Sequence, residues 1–136
     1  MRTIPSRLAY SPIALAIRFF LEMASLAALG FWAWHTAPGA LRWLAALALP
    51  LAVAVAWGVW AVPGDPSRSG RAPVATPGPV RLLLELLVFF GSAIALAASN
   101  ARSVALVYAI ILVLYHIAAY PRIRWLLSKA TPAATA

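Results

Sequence analysis

Arg18-Phe-Phe-Leu-Glu22 and Arg81-Leu-Leu-Leu-Glu85 each open a long apolar run, with a cation followed one helical turn later by a carboxylate. Beyond each glutamate no further charge interrupts the run, to Trp34 in the first case and to Ala98 in the second. An ionisable group in hydrocarbon costs about 2.5–3.5 kcal/mol even on lenient insertion scales, so an acid at the same point of two segments calls for a partner or a task. Glu22 and Glu85 are the only acids inside a hydrophobic segment, in a chain with 3 Asp and Glu altogether.

The surrounding composition sets the class. Of 136 residues, 64% are hydrophobic and only 10% charged, too little polarity to clothe a soluble domain of this size. The sequence therefore predicts an all-α membrane protein. A net charge of +8 would suggest nucleic acid for a soluble chain, but here the loops that carry it matter, and no nucleic-acid partner is expected. Without cysteine there is no disulfide, thiolate nucleophile or iron–sulfur ligand, and 2 His with 3 acids supply a metal site poorly. No metal, cofactor or catalytic set is expected. His35 falls at the outer interface and His116 near the inner one, so they cannot face one another across a haem. No nucleotide-binding glycine pattern or serine–histidine–acid arrangement stands out.

Outward from the two motifs, the chain divides into four transmembrane helices arranged as two helical hairpins. Residues 1–11 read as a cytoplasmic arm leading into a retained first span, since the apolar run is too long for a signal peptide. Hairpin one covers 12–62. Ser11-Pro12 starts its first helix, Phe31, Trp32, Trp34 and His35 mark the outer interface, and Pro38-Gly39 turns the chain. Pro50 should kink the second helix and free a carbonyl near Ala46. Residues 63–78 form a Pro/Gly-rich loop, expected to be solvent-exposed and without regular structure. Hairpin two covers 79–120, with a polar turn at Ser99–Arg102 and a last span, Val104–Tyr120, at the short limit for crossing. Residues 121–136 read as a basic juxtamembrane tail whose Arg122, Arg124, Trp125 and Lys129 lie against anionic headgroups, with the end from Thr131 disordered.

Of the 11 basic residues only Arg42 and Arg102 flank the loops opposite the termini. The positive-inside rule then places both termini and the 63–78 loop of a multi-pass membrane protein in the cytoplasm. Both hairpins enter from that side behind Arg-x-x-x-Glu, which reads as a tandem duplication about an axis along the membrane normal. Small residues four apart, such as Ala54 with Gly58 and Gly91 with Ala95, suit close helix packing and leave homo-oligomer or protein partners open.

Depth makes the opening pattern more specific. Counted inward from the outer ends, Glu22, Glu85 and His116 share a level about 18–20 Å down. Tyr115 lies beside it, and Arg18 and Arg81 about one turn below. These six residues form the candidate buried polar cluster, either a structural group that fixes helix packing or a binding site.

Three further stretches carry a resemblance: Ala27-Ala-Leu-Gly-Phe-Trp-Ala-Trp34, a Pro50-bearing helix ending in Trp57-Gly-Val-Trp-Ala-Val-Pro63, and Pro79-Val-Arg-Leu-Leu-Leu-Glu-Leu-Leu-Val-Phe89. Together with Arg18–Glu22, this succession resembles the YrdB-like family of small four-helix bacterial membrane proteins, catalogued as a domain of unknown function. The resemblance covers about residues 13–125 and implies the four-span fold and a bacterial inner membrane, but no activity or site. Three function classes remain. The first is a non-enzymatic binding or accessory protein contacting lipid or a larger membrane complex. The second is a proton-coupled small-molecule transporter or channel using Glu22 and Glu85, and the third an intramembrane isomerase using a glutamate and His116.

Overall fold

A computed structural model describes residues 9–130. The expectations for residues 1–8 and for the end from Thr131 lie outside the described residues.

Helix α1, Pro12–Thr36, starts where the sequence predicts: Ser11 caps it through a 3.2 Å bond from the Ala14 N–H to its hydroxyl, with Pro12 in the first turn. Helix α2, Leu41–Val59, folds back after a turn in which Gly39 adopts φ +54°. It runs through Pro50 as one helix. Pro50 cannot donate to Ala46, and that freed carbonyl faces Gly30 of α1, where even a Cβ would approach it to 3.0 Å. A glycine at this point lets the two helices meet.

The chain leaves α2 through a two-residue strand, β1 (Trp60–Ala61), paired in parallel with β2 (Val74–Ala75). The Pro/Gly-rich segment between them is not the unstructured exposed loop that its composition suggests. Asp65 is 1% exposed and Thr76 5%, and the Thr76 N–H donates to the Ala61 carbonyl at 2.9 Å. Helix α3, Gly78–Ala98, follows and is the centre of the molecule, packing against α1, α4 and α5. Its buried face runs Arg81, Glu85, Phe89, Ser92, a helical stripe that starts ionic and turns apolar.

Asn100, at φ +63°, makes the tight turn into α4, Arg102–Ala118. Pro121 does not end the structure there. It sits in the first turn of α5, Tyr120–Ser128, which bends 65° from α4 and folds onto the start of α3. Gly78 makes that crossing feasible: its N–H donates to the Lys129 carbonyl at 2.7 Å, and a Cβ there would overlap the Leu126 carbonyl. The tail read as lying on headgroups therefore divides. Arg122 and Leu126 are buried, whereas Arg124 and Lys129 are exposed.

Leu21, Phe89, Ala93, Tyr108 and Leu112 form the core, with Trp57, Phe90 and Tyr115 packed against it. Tyr108 ties α4 to α1, its hydroxyl donating to the Leu21 carbonyl at 3.0 Å and bonding Ser25. Outside, α2 buries no residue, and Leu44, Leu47 and Leu51 are exposed. The described chain is all-helical apart from the short β pair. Three helices, α1, α2 and α3, are long and apolar enough to cross a membrane, and the count reaches four if bent α4 and α5 are taken as one span.

Candidate functional site

At the end of the bundle where α1 and α3 begin and α2 and α4 finish, Glu85 is 2% exposed and collects three guanidinium groups. Arg81, one turn earlier on α3, donates Nε to Oε1 at 3.2 Å. Arg18 of α1 spans both carboxylate oxygens, Nη2 to Oε1 at 2.8 Å and Nη1 to Oε2 at 3.5 Å. Arg122 of α5 brings Nη2 to Oε1 at 2.8 Å. So many cations around one acid would be unfavourable alone, because a buried charge is tolerated only when compensated.

The other two acids supply that compensation. Arg122 Nη2 also bonds Asp65 Oδ2 at 2.9 Å, and Arg18 Nε pairs with Glu22 Oε1 at 3.1 Å. The network thus runs Asp65–Arg122–Glu85–Arg18–Glu22, with Arg81 as a branch at Glu85. It contains all 3 acids of the chain and an equal number of arginines, so its net charge is zero. Asp65 fills its second oxygen locally: Oδ1 accepts from the Ser67 N–H at 2.9 Å and the Ser67 hydroxyl at 2.7 Å.

Trp57, in the last turns of α2, is the apolar spacer. Its ring faces the Arg81 guanidinium at 4.3 Å and the Arg18 guanidinium at 5.6 Å, and its indole N–H donates to Glu22 Oε1 at 3.2 Å. The last carbonyls of α2 have no helical partner. Arg81 Nη1 bonds the Trp57 carbonyl at 2.8 Å and also that of Trp60, and Arg68 reaches the Trp57 carbonyl too. Two cations thereby meet the negative end of the α2 dipole. Tyr10, just ahead of α1, has its phenol pushed above the ordinary value by burial.

Of the six residues singled out in the sequence, Arg18, Glu22, Arg81 and Glu85 come together here, and Tyr115 joins through a 3.5 Å bond from Arg18 Nη1. His116 does not hydrogen-bond to any of them. Its Nδ1 faces the Leu112 carbonyl at 2.7 Å, and its ring packs among Phe89, Phe90 and Tyr115. Because a backbone carbonyl only accepts, Nδ1 carries the proton, and Nε2 is buried without a hydrogen-bond partner. The residues the sequence reading left out are Asp65, Arg122, Arg68 and Trp57. One signal pointed to Asp65: a lone acid among the loop arginines of a chain with net charge +8.

Chemically, the arrangement is a charge-balanced ionic lock, in which Arg81 Nη2 and Arg122 Nε and Nη1 are buried without hydrogen-bond partners. Among the described residues no group of three or more His, Asp or Glu is placed to hold a metal ion. Glu22 is the one member that opens outward: its side chain is 22% exposed, against 5% or less for the other carboxylates and guanidiniums of the network.

The family model described as protein of unknown function (DUF2568) matches residues 16–113. That range takes in every network residue except Arg122. The chain is 42% identical over 115 residues to the uncharacterized protein YrdB of Bacillus subtilis (strain 168), an alignment covering 85% of this chain and 94% of that protein. No solved structure matches it.

Proposed function

This chain belongs to the DUF2568 family of proteins of unknown function, and from that premise we propose a multi-pass protein of the bacterial inner membrane with a non-enzymatic binding or accessory role, toward lipid or a larger membrane complex. In this reading α1, α2, α3 and the bent α4–α5 pair make four spans in two hairpins. Both ends and the 63–78 loop are cytoplasmic. Two features support it. Leucines such as Leu44, Leu47 and Leu51 of α2 are 64–72% exposed, and each would gain about 1.5–3 kcal/mol on leaving water. The exposed cations Arg71, Arg124 and Lys129 gather at the ionic end, while Arg42 and Arg102 mark the other.

The closed charge network is the observation that carries the binding role over transport or catalysis. A carboxylate that carries protons must be able to give up its partners. Protonating Glu85 would leave three buried guanidiniums against two carboxylates, a state costing several kcal/mol. An isomerase would need His116 beside a glutamate, and its ring is instead enclosed by aromatic side chains.

Membrane vesicles test both halves. The chain should resist alkaline extraction, and single cysteines at Ser69 and Asn100 should react with an impermeant reagent from opposite sides. Liposomes holding the purified protein should show no solute flux driven by a pH gradient. A flux abolished by Glu22→Gln would overturn the binding role in favour of transport.

A further inference from the structure

We infer that the groove between α2 and α3 seats an acyl chain of a bilayer phospholipid whose headgroup carries both a phosphate and a primary ammonium, the phosphate at Arg68 and the ammonium at Glu22. The inference rests on the membrane reading above and gives it a ligand. Three cavities lie end to end over α1. The first, about 300 Å³, is bounded by Arg18, Glu22, Ser67, Arg68 and Ser69. Glu22 also borders the second, about 170 Å³, whose other walls include Met23, Ala54, Trp57 and Val88. Val53 and Val88 continue from there into a third, about 550 Å³, that runs past Gly91 to Trp32 and Ala98. From Phe19 to Trp32 along α1 the groove is about 20 Å long at 1.5 Å per residue, longer than half of a ~30 Å hydrocarbon core. One end is polar and the remainder apolar, which is the shape of an amphiphile and not of a free soluble ion.

Charge complementarity selects the headgroup. The three carboxylates are matched by Arg18, Arg81 and Arg122, so Arg68 at the mouth has no carboxylate partner. Its Nη1 serves the Trp57 carbonyl, and the rest of the guanidinium, on a residue that lines this cavity together with Ser67 and Ser69, suits a phosphate. Glu22 faces the same mouth with its side chain 22% exposed. Its bonds from Arg18 and Trp57 both land on Oε1, which leaves Oε2 for a donor from the cavity. A positive and a negative group side by side fit a zwitterion, and only a head with a protonated amine offers Glu22 a hydrogen-bond donor and a positive charge together. A quaternary ammonium has the charge without a donor, and an anionic glycerol head donates only from neutral hydroxyls.

Purified full-length protein is incubated with equimolar phosphatidylethanolamine, phosphatidylcholine and phosphatidylglycerol of one acyl composition, and retained lipid is counted by native mass spectrometry. The ethanolamine lipid should be favoured about tenfold over either competitor, the scale of one charge-assisted hydrogen bond. Glu22→Gln should bring it level with the choline lipid, while Glu22→Asp keeps a preference. Ala54→Phe, which fills the middle cavity from α2 and removes no charged group, should lower all three. Equal retention by the wild type, a lead for phosphatidylglycerol, or Ala54→Phe without effect would overturn the inference. The ranking on the wild type decides the matter even if Glu22→Gln does not fold. A chain that alkali strips from the membrane would instead sink the membrane reading, and a membrane-retained chain with no headgroup preference sinks this inference alone.

Discussion

Arg18–Glu22 and Arg81–Glu85 have the same spacing, the same order and the same place in their helices, yet they end in different environments. Glu85 is 2% exposed and bonded by three guanidiniums from three helices, whereas Glu22 takes one guanidinium and one indole and keeps its side chain 22% exposed. Local sequence cannot account for this. The i,i+4 pair is present in both, and such pairs are worth only a few tenths of a kcal/mol in an isolated helix. The difference comes from position: α3 is flanked by α1, α4 and α5, while the Glu22 face of α1 looks toward the outer helix α2. Helices of equal pattern thus acquire unequal roles, one carboxylate closing the interior and the other remaining accessible.

Substitutions measure that inequality. Glu85→Gln should have the largest effect, a loss of about 3–5 kcal/mol, because it leaves three buried cations facing two acids. Unfolding by sodium dodecyl sulfate in mixed micelles would read it, and a loss under about 1 kcal/mol would show that the hub is not ionic. Asp65→Asn should come next, at about 1.5–3 kcal/mol, since Arg122 loses one charged partner and keeps Glu85. Faster proteolysis of the 63–77 segment should accompany it, and cleavage unchanged from wild type would separate the loop from the network. Glu22→Gln should cost least, about 1 kcal/mol or below, the amide oxygen still accepting from Trp57 and Arg18. Equal losses at Glu22 and Glu85 would erase the distinction between the two motifs.

The helical segments, the caps at Ser11-Pro12 and the turns at Pro38-Gly39 and Asn100 could be read from hydropathy and breakers, because each depends on neighbours in sequence. Depth counting put Glu22, Glu85 and His116 at one level, with Tyr115 beside it and Arg18 and Arg81 about one turn below. It did not give azimuth, and His116 at that same level turns toward Phe89 and Phe90. The partnership of Asp65 with Arg122 is illegible in the sequence for another reason. Their pairing spans 57 positions and depends on α5 folding back, a bend encoded by the fit of Gly78 against Leu126 and not by any periodicity. Proline and glycine richness says that a segment lacks a regular ladder, but not that it lies in solvent. Arg122 shared its surroundings with Arg124 and Lys129, and only tertiary contact distinguishes it from them.

Charge neutrality at the buried end hangs on the one contribution that comes from α5. Without Arg122 the three carboxylates would face only Arg18 and Arg81, leaving the cluster with a net negative charge. The crossing of α5 over Gly78 is what brings the third guanidinium in. A side chain at position 78 would therefore act on charge as well as on packing, because displacing α5 would leave Asp65 without its cation.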